Sequence, residues 1–304
     1  MVFPGQGSQS QGMQAELAAE FPVVQETYAV ASDVLGYDLW DLVQSGPAEK
    51  LAETVVTQPA MLAAGVAAYR AWQAAGGDVP GQMAGHSLGE YTALVCADAI
   101  TFPEAMSVVR RRAQLMQEAV PKGAGAMAAI LGLDDEAVKK VCEEASRDGV
   151  AEAVNFNSPG QIVLAGDVDA IERAIEGARQ AGARRAIKLP VSVPSHSSLM
   201  VGAGEALQDA LAAAAFSTPA VTVVAATDGQ PYTDATDIRE RLSKQVYGPV
   251  QWVQTVQAMI TAGATSVVEC GPGKVLTGLV RRIDKGTPVA FIDNPDSLQK
   301  ALSL

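Results

Sequence analysis

The pentapeptide Gly85-His86-Ser87-Leu88-Gly89 sets a serine between two glycines, with the apolar stretch Met83-Ala84 before it and the helix-forming run EYTALVCADA after it. A G-x-S-x-G pattern between strand and helix makes a sharp turn that exposes the serine oxygen. Its glycines let the backbone pass without side-chain clashes. The chemistry this suggests is nucleophilic acyl transfer, and a serine hydroxyl needs a base for that. Only two histidines are present. His86 adjoins Ser87, and neighbouring side chains diverge in a tight turn, so it is badly placed to take the Ser87 proton. His196 remains, held in a proline-rigidified turn by Pro194 and preceding a helix. No acid within a few residues is an obvious orienter for its imidazole; a backbone carbonyl in that role gives a dyad. The competing readings are an ordinary strand–helix turn at Ser87 and a structural histidine at 196.

Other motifs point away from nucleotides and metals. GPGKVLTG is not a phosphate-binding loop, because Pro272 alone separates the two glycines ahead of Lys274. GQGSQS misses G-x-G-x-x-G at its last position. Cys96, Cys142 and Cys270 are widely spaced and form no C-x-x-C pair, so free thiols in a reducing compartment are expected. With two histidines and scattered cysteines, no metal or other cofactor is expected. A net charge of −12 argues against a general nucleic-acid-binding surface. No apolar run reaches the roughly 18 residues that span a bilayer, and the first residues lack a basic-then-apolar leader. A cytoplasmic protein without membrane insertion is expected.

The elements that must position Ser87 and His196 follow from periodicity. The chain has 304 residues, 48% of them hydrophobic, and aromatics are only 5%, so Ala, Val and Leu must fill most of the core. Residues 1–122 alternate short apolar strands with Ala-rich helices; VTQPAMLAAGVAAYRAWQAAGG reads as one long helix with a glycine stop. Residues 123–191 read as β-α-β-β-α-β, the ferredoxin-like pattern, ending in a strand within RRAIKLPVS. From 192 to 304 the α/β alternation resumes, with strand candidates in AVTVVAATDG, TSVVECGPG and PVAFID. The expectation is an α/β protein with a mainly parallel sheet in 1–122 and 192–304, interrupted by a small insert at 123–191.

Seven stretches occur in order: FPGQGSQ, GHSLGEYTALVCA, MQEAVPKGAGAMAAI, NFNSPGQIV, LPVSVPSH, YGPVQW and GPGKVLTGL. Together they resemble the malonyl-CoA:acyl carrier protein transacylase family of bacterial type II fatty acid synthesis, over essentially residues 2–304. The resemblance implies an α/β-hydrolase-like large subdomain with a ferredoxin-like insert. It implies Ser87 as nucleophile and His196 as its partner, with Gln6 and the Leu88 N–H at the oxyanion hole. Arg112 matches the arginine that binds the malonyl carboxylate, with Met116 one turn on in the same substrate pocket. Asn155 and Asn157 match cleft-lining positions, and the Gln245 carbonyl matches the group that orients the histidine. The family often has an asparagine near Ala225–Ala226, so a cleft hydrogen bond from that strand is in doubt. Malonyl-CoA and acyl carrier protein are the implied partners, and a monomer is expected. Read without the resemblance, Arg112 is one charge of a solvated Arg110-Arg111-Arg112 run, although three successive arginines cannot share one helix face. The carrier is acidic, so a local basic patch is needed. Arg184, Arg185 and Lys188 form one candidate cluster, and Lys274, Arg281, Arg282 and Lys285 another; ordinary solvated faces are the competing reading. Rival functions on the same residues are a serine esterase, a carrier-binding module without catalysis, and an acyltransferase for another extender unit such as methylmalonyl.

Overall fold

The computed structural model describes residues 1–191 and 193–304. Among them are nine strands: β1 (Val2–Phe3), β2 (Gln82–Gly85), β3 (Gly125–Leu131), β4 (Ala151–Ser158), β5 (Gln161–Asp167), β6 (Arg185–Lys188), β7 (Thr222–Val224), β8 (Val267–Cys270) and β9 (Val289–Ile292). Five of them form a parallel sheet in the order β7-β2-β1-β8-β9. Its inner strands β2, β1 and β8 are largely buried, as the middle of a parallel sheet requires, whereas the edge strand β9 is half-buried and β7 begins at the exposed Thr222. β1 has two residues, both fully buried, and it ends where Pro4 removes a backbone donor. The carboxyl ends of β1 and β2 deliver the Gln6 turn and Ser87 side by side, at the end of a parallel sheet where ligands bind.

The helix Thr54–Ala74 is buried over most of its surface, consistent with its apolar residues running all round. It packs against the helix Phe102–Glu118, whose buried positions Val108, Val109, Arg112, Leu115 and Met116 follow a helical period. That period turns Arg110 and Arg111 outward and Arg112 inward.

The other four strands form a separate antiparallel sheet in the order β4-β5-β3-β6. Two amphipathic helices, Asp135–Ala145 and Val168–Gln180, cover one face through Ala128, Ile130, Ile162 and Leu164. The alternate residues Met127 and Val163 point the other way, into the cleft beside Ser87. Backbone bonds between Phe156 N–H and the Val250 carbonyl (2.9 Å), and between Val250 N–H and the Val154 carbonyl (2.8 Å), stitch β4 to the larger half. The last strand is shorter than RRAIKLPVS suggests. Pro190 has no N–H to donate, so pairing ends after Leu189, whose N–H still reaches the Met127 carbonyl at 2.8 Å. Ser192, the expected strand end and start of the returning segment, lies outside the described residues. Among the described residues no helix is long and apolar enough to cross a membrane.

Candidate active site

β2 runs straight into the turn at Ser87, and the helix Gly89–Cys96 starts two residues later. The two glycines are required by contact. A Cβ on Gly85 would lie 1.8 Å from the Gly89 carbonyl carbon, and one on Gly89 would lie 2.1 Å from the Phe3 oxygen. Ser87 itself has φ of 54°, a left-handed conformation that non-glycine residues rarely adopt. His196 shares this property, with φ of 69°. Strain of this kind persists where surrounding structure fixes it, commonly at functional sites.

Ser87 Oγ lies 2.7 Å from His196 Nε2. On the other side of the ring, Nδ1 is 2.8 Å from the Gln245 carbonyl and 3.2 Å from that of Gly248. Two carbonyls can only accept, so Nδ1 carries the proton and Nε2 keeps a free lone pair facing the serine hydroxyl. Burial first, and then the Arg112 charge, lower the His196 pKa from about 6.5 to about 3. The imidazole is therefore neutral at pH 7, as a base must be. Among the described residues no carboxylate touches it, so the geometry is that of a serine–histidine pair.

Arg112 is almost fully buried and forms no salt bridge among the described residues. One terminal nitrogen donates to Gln58 Oε1 at 2.6 Å. The other donates to Gln245 Oε1 at 2.9 Å and approaches Ser87 Oγ at 3.2 Å. The guanidinium lies over the Tyr91 ring, 5.7 Å from its centre, and its Nε–H has no acceptor. A guanidinium stays charged in proteins, so a buried cation beside the nucleophile has no carboxylate in direct contact; the nearest buried acid, Glu90, reaches it only through the Gln245 amide. That arrangement is suited to a substrate carboxylate.

A cavity of about 500 Å³ joins these groups, lined by Gln6, Ser87, Leu88, Arg112, Met116, Asn155, Asn157 and His196. The N–H groups of Gln6 and Leu88 find no acceptor among the described residues. They are free to hold an oxyanion at the start of the helix that follows Ser87, where the helix dipole favours negative charge. Met116 accepts from Gln58 at 3.5 Å. His86 is engaged elsewhere: its Nε2 is 2.8 Å from Asn157 Oδ1 and its ring packs on Trp252. A larger cavity, about 1000 Å³, lies at the opposite end of the parallel sheet, and no histidine or arginine lines it. No group of residues able to hold a metal occurs among those described.

Three participants were not legible in sequence. Gln58 anchors Arg112 from 54 positions away. The side chain of Gln245, as well as its carbonyl, belongs to the site: its Nε2 donates to the Ser87 carbonyl (2.8 Å) and to Glu90. Glu90 is fully buried and also accepts from the Ala226 N–H (3.0 Å) and the Tyr232 hydroxyl (2.9 Å). An acid one turn past Ser87 in an otherwise apolar helix was the available signal. At Ala226 it is thus the backbone that serves the site's surroundings, without an asparagine side chain.

One member of each basic cluster, Arg185 and Arg282, comes to the same end of the antiparallel sheet. Gln161 pairs with Leu131, which pairs with Arg185, so two strand spacings of about 4.8 Å separate Gln161 from Arg185. Arg282 donates to Gln161 Oε1 at 2.5 Å, and Gln161 lines the cavity. Arg184, Arg185, Arg281 and Arg282 are all exposed. Lys188 is engaged by Glu172 at 2.8 Å. Ile187 and Val275, 48% and 49% exposed, add apolar surface among these charges.

The sequence matches the family described as acyl transferase domain over residues 1–290. It is 53% identical over 303 residues to the malonyl CoA-acyl carrier protein transacylase of Escherichia coli (strain K12), covering 100% of this chain and 98% of that protein. The enzyme of the same name from Bacillus subtilis (strain 168) is 40% identical over 302 residues, covering 99% and 95%. The solved malonyl CoA-acyl carrier protein transacylase of Coxiella burnetii superposes with a TM-score of 0.98 at 45% identity, covering 100% of this chain and 96% of that one. A malonyl-transacylase solved in complex with its type II PKS acyl-carrier protein superposes equally well, with a TM-score of 0.98 at 51% identity over 100% and 98% of the two chains.

Proposed function

The chain belongs to the acyl transferase domain family, and from that premise we propose how its Ser87–His196 pair performs the reaction. The enzyme transfers a malonyl group from CoA to acyl carrier protein, a step of fatty acid synthesis. In the first half-reaction His196 Nε2 takes the hydroxyl proton as Ser87 Oγ attacks the thioester carbon. Negative charge on the carbonyl oxygen falls between the Leu88 and Gln6 N–H groups, an arrangement typically worth several kcal/mol. Collapse breaks the carbon–sulfur bond, and the imidazolium proton goes to the departing CoA sulfur. In the second half, the carrier's phosphopantetheine thiol gives its proton to His196 and attacks the malonyl-serine ester. Ser87 leaves and recovers that proton.

One observation supports the malonyl assignment above the others: the unpaired Arg112 guanidinium 3.2 Å from the nucleophile. A malonyl carboxylate pairs with it, whereas an acetyl group leaves a buried cation uncompensated. An esterase has no use for such a charge. Met116, Asn155 and Asn157 border the acyl group, and the Gln245 carbonyl orients the base. No step needs a metal or cofactor.

The β4-β5-β3-β6 sheet with its two helices is read as a ferredoxin-like insert, residues 123–191, in an α/β-hydrolase-like subdomain formed by 1–122 and 192–304. We assign carrier docking to Arg184, Arg185, Arg281 and Arg282 at the cleft mouth, and a cytoplasmic monomer as the working form. Intact-mass analysis after separate mixing with malonyl-, methylmalonyl- and acetyl-CoA tests the acyl assignment. A malonyl adduct on Ser87 is expected; preferential labelling by either other donor overturns it.

A further inference from the structure

Among the described residues, Gln245 is the one side chain that meets Arg112, Ser87 and a buried acid together. Its amide has two different ends, and an end-for-end flip exchanges a donor for an acceptor. Arg112 has only donors, so the end facing it must be Oε1. That orientation is enforced from the far side, where Nε2 meets both the Ser87 carbonyl and Glu90. Burial raises the Glu90 pKa, but the three donors converging on it, from Gln245, Ala226 and Tyr232, favour the carboxylate, which can only accept and so admits the NH₂ end alone.

Glu90 is itself pinned. Oε1 takes the Ala226 N–H and the Tyr232 hydroxyl, and Oε2 takes Gln245 Nε2. Tyr232 is in turn stacked under the Arg241 guanidinium, 4.6 Å from its ring centre. The Glu90 carboxylate touches neither Ser87 Oγ nor the imidazole, so it has no place in the proton transfers described above.

We propose that Glu90 is a positioning residue for acyl selectivity, which sets the Gln245 amide so that Arg112 is held in place to receive a carboxylate-bearing acyl group. The proposal rests on the reading of Arg112 as the malonyl receptor. A glutamine at position 90 cannot do the same work. If its NH₂ faces Gln245, either two NH₂ groups meet or the Gln245 amide turns, giving up the Ser87 carbonyl and presenting NH₂ to Arg112. If its oxygen faces Gln245, its NH₂ is left against the Ala226 N–H. Either way one buried donor meets another, which is costly.

The test is Ser87 acylation by malonyl-CoA and acetyl-CoA, measured as kcat/KM for each, in wild type, Glu90→Gln, Arg112→Ala and the double variant. Malonylation of the wild type tests the underlying reading on its own. Given that, Glu90→Gln should lower the malonyl-to-acetyl ratio roughly tenfold to a hundredfold, the range of a lost hydrogen bond to a charged group. In the Arg112→Ala background the same substitution should leave the ratio unchanged. A merely structural role lowers both donors alike. An unchanged ratio in folded Glu90→Gln, or an equal fall in the Arg112→Ala background, overturns the proposal. Should Glu90→Gln fail to fold, Tyr232→Phe removes one of the donors on Glu90 and is expected to lower the ratio by a smaller factor; an unchanged ratio there is equally fatal.

Discussion

Replacing Arg112 with alanine removes a charge that the base feels as well as a partner for the substrate. The guanidinium nitrogen is 3.2 Å from Ser87 Oγ, which is 2.7 Å from His196 Nε2. The charge therefore lies within about 6 Å of the imidazole, and at an effective dielectric near 20 it disfavours the imidazolium by about 3 kcal/mol, or ~2 pKa units. Burial and this charge together hold His196 at about 3. Arg112→Ala should raise it toward ~5. Acylation needs the neutral ring, so the acid limb of the rate profile should move up in pH by a similar amount. At pH 7 the base stays neutral in both proteins. There the malonyl reaction should fall on the order of 10²-fold, because the carboxylate has lost its partner, while the acetyl reaction should change little. Quenched-flow acylation of Ser87 with each donor between pH 4 and 8 measures both effects. An unmoved acid limb would refute the electrostatic coupling. Parallel losses for malonyl and acetyl would refute the receptor role. The same arithmetic has a corollary: a bound malonyl carboxylate offsets the Arg112 charge and so strengthens the base when the right substrate is present.

Ser87→Ala should abolish the malonyl adduct while thermal unfolding stays near that of wild type; an adduct on the variant would remove Ser87 as nucleophile. His86→Ala should leave Asn157 without its partner and cost about 1–3 kcal/mol of stability, yet leave the acid limb of acylation where it was, as pH–rate profiles will show. Both histidines have depressed pKa values in the folded chain. Their contribution to stability is complete above about 6.5, the unfolded value, and is lost as pH falls toward the folded values; denaturant midpoints at pH 7 and pH 5 should differ accordingly, and equal midpoints would contradict it. Arg185→Glu with Arg282→Glu should raise the KM for carrier protein at low salt and less so at higher salt, since exposed charges are screened over about 10 Å at 0.1 M. Steady-state kinetics at two ionic strengths decide this, and an unchanged KM at low salt removes the patch.

The parts of the site visible in sequence were those whose residue types are locally demanding. A serine between glycines after an apolar strand has few alternative uses, and with two histidines the base followed by exclusion. Alternating and helical periods exposed the β-α-β-β-α-β order because each insert element buries one face only. Arg112 needed more, since nothing local says which of three arginines turns inward; the helix phase decides it, and that phase is set by burial against the Thr54–Ala74 helix. Glu90, Gln58 and the Gln245 side chain escaped because amide and carboxylate pairings across 155 and 133 positions leave no local pattern. The shortened β6 reflects a competition between strand pattern and the missing proline donor.

The imidazole of His196 is gripped by two carbonyl oxygens and by no anion. Among the described residues nothing negative touches it, and a bound malonyl carboxylate does no more than cancel the Arg112 charge, so it is a modest proton acceptor, and an incoming group must bring much of its own acidity. A thiol ionises near 8.5, whereas water does so near 15.7. Those roughly seven units let the site favour sulfur over water before shape or docking enters. In the proposed mechanism the malonyl ester on Ser87 is thus protected by the modest strength of its own base, and it can wait for a thiol in a cleft that remains open to solvent.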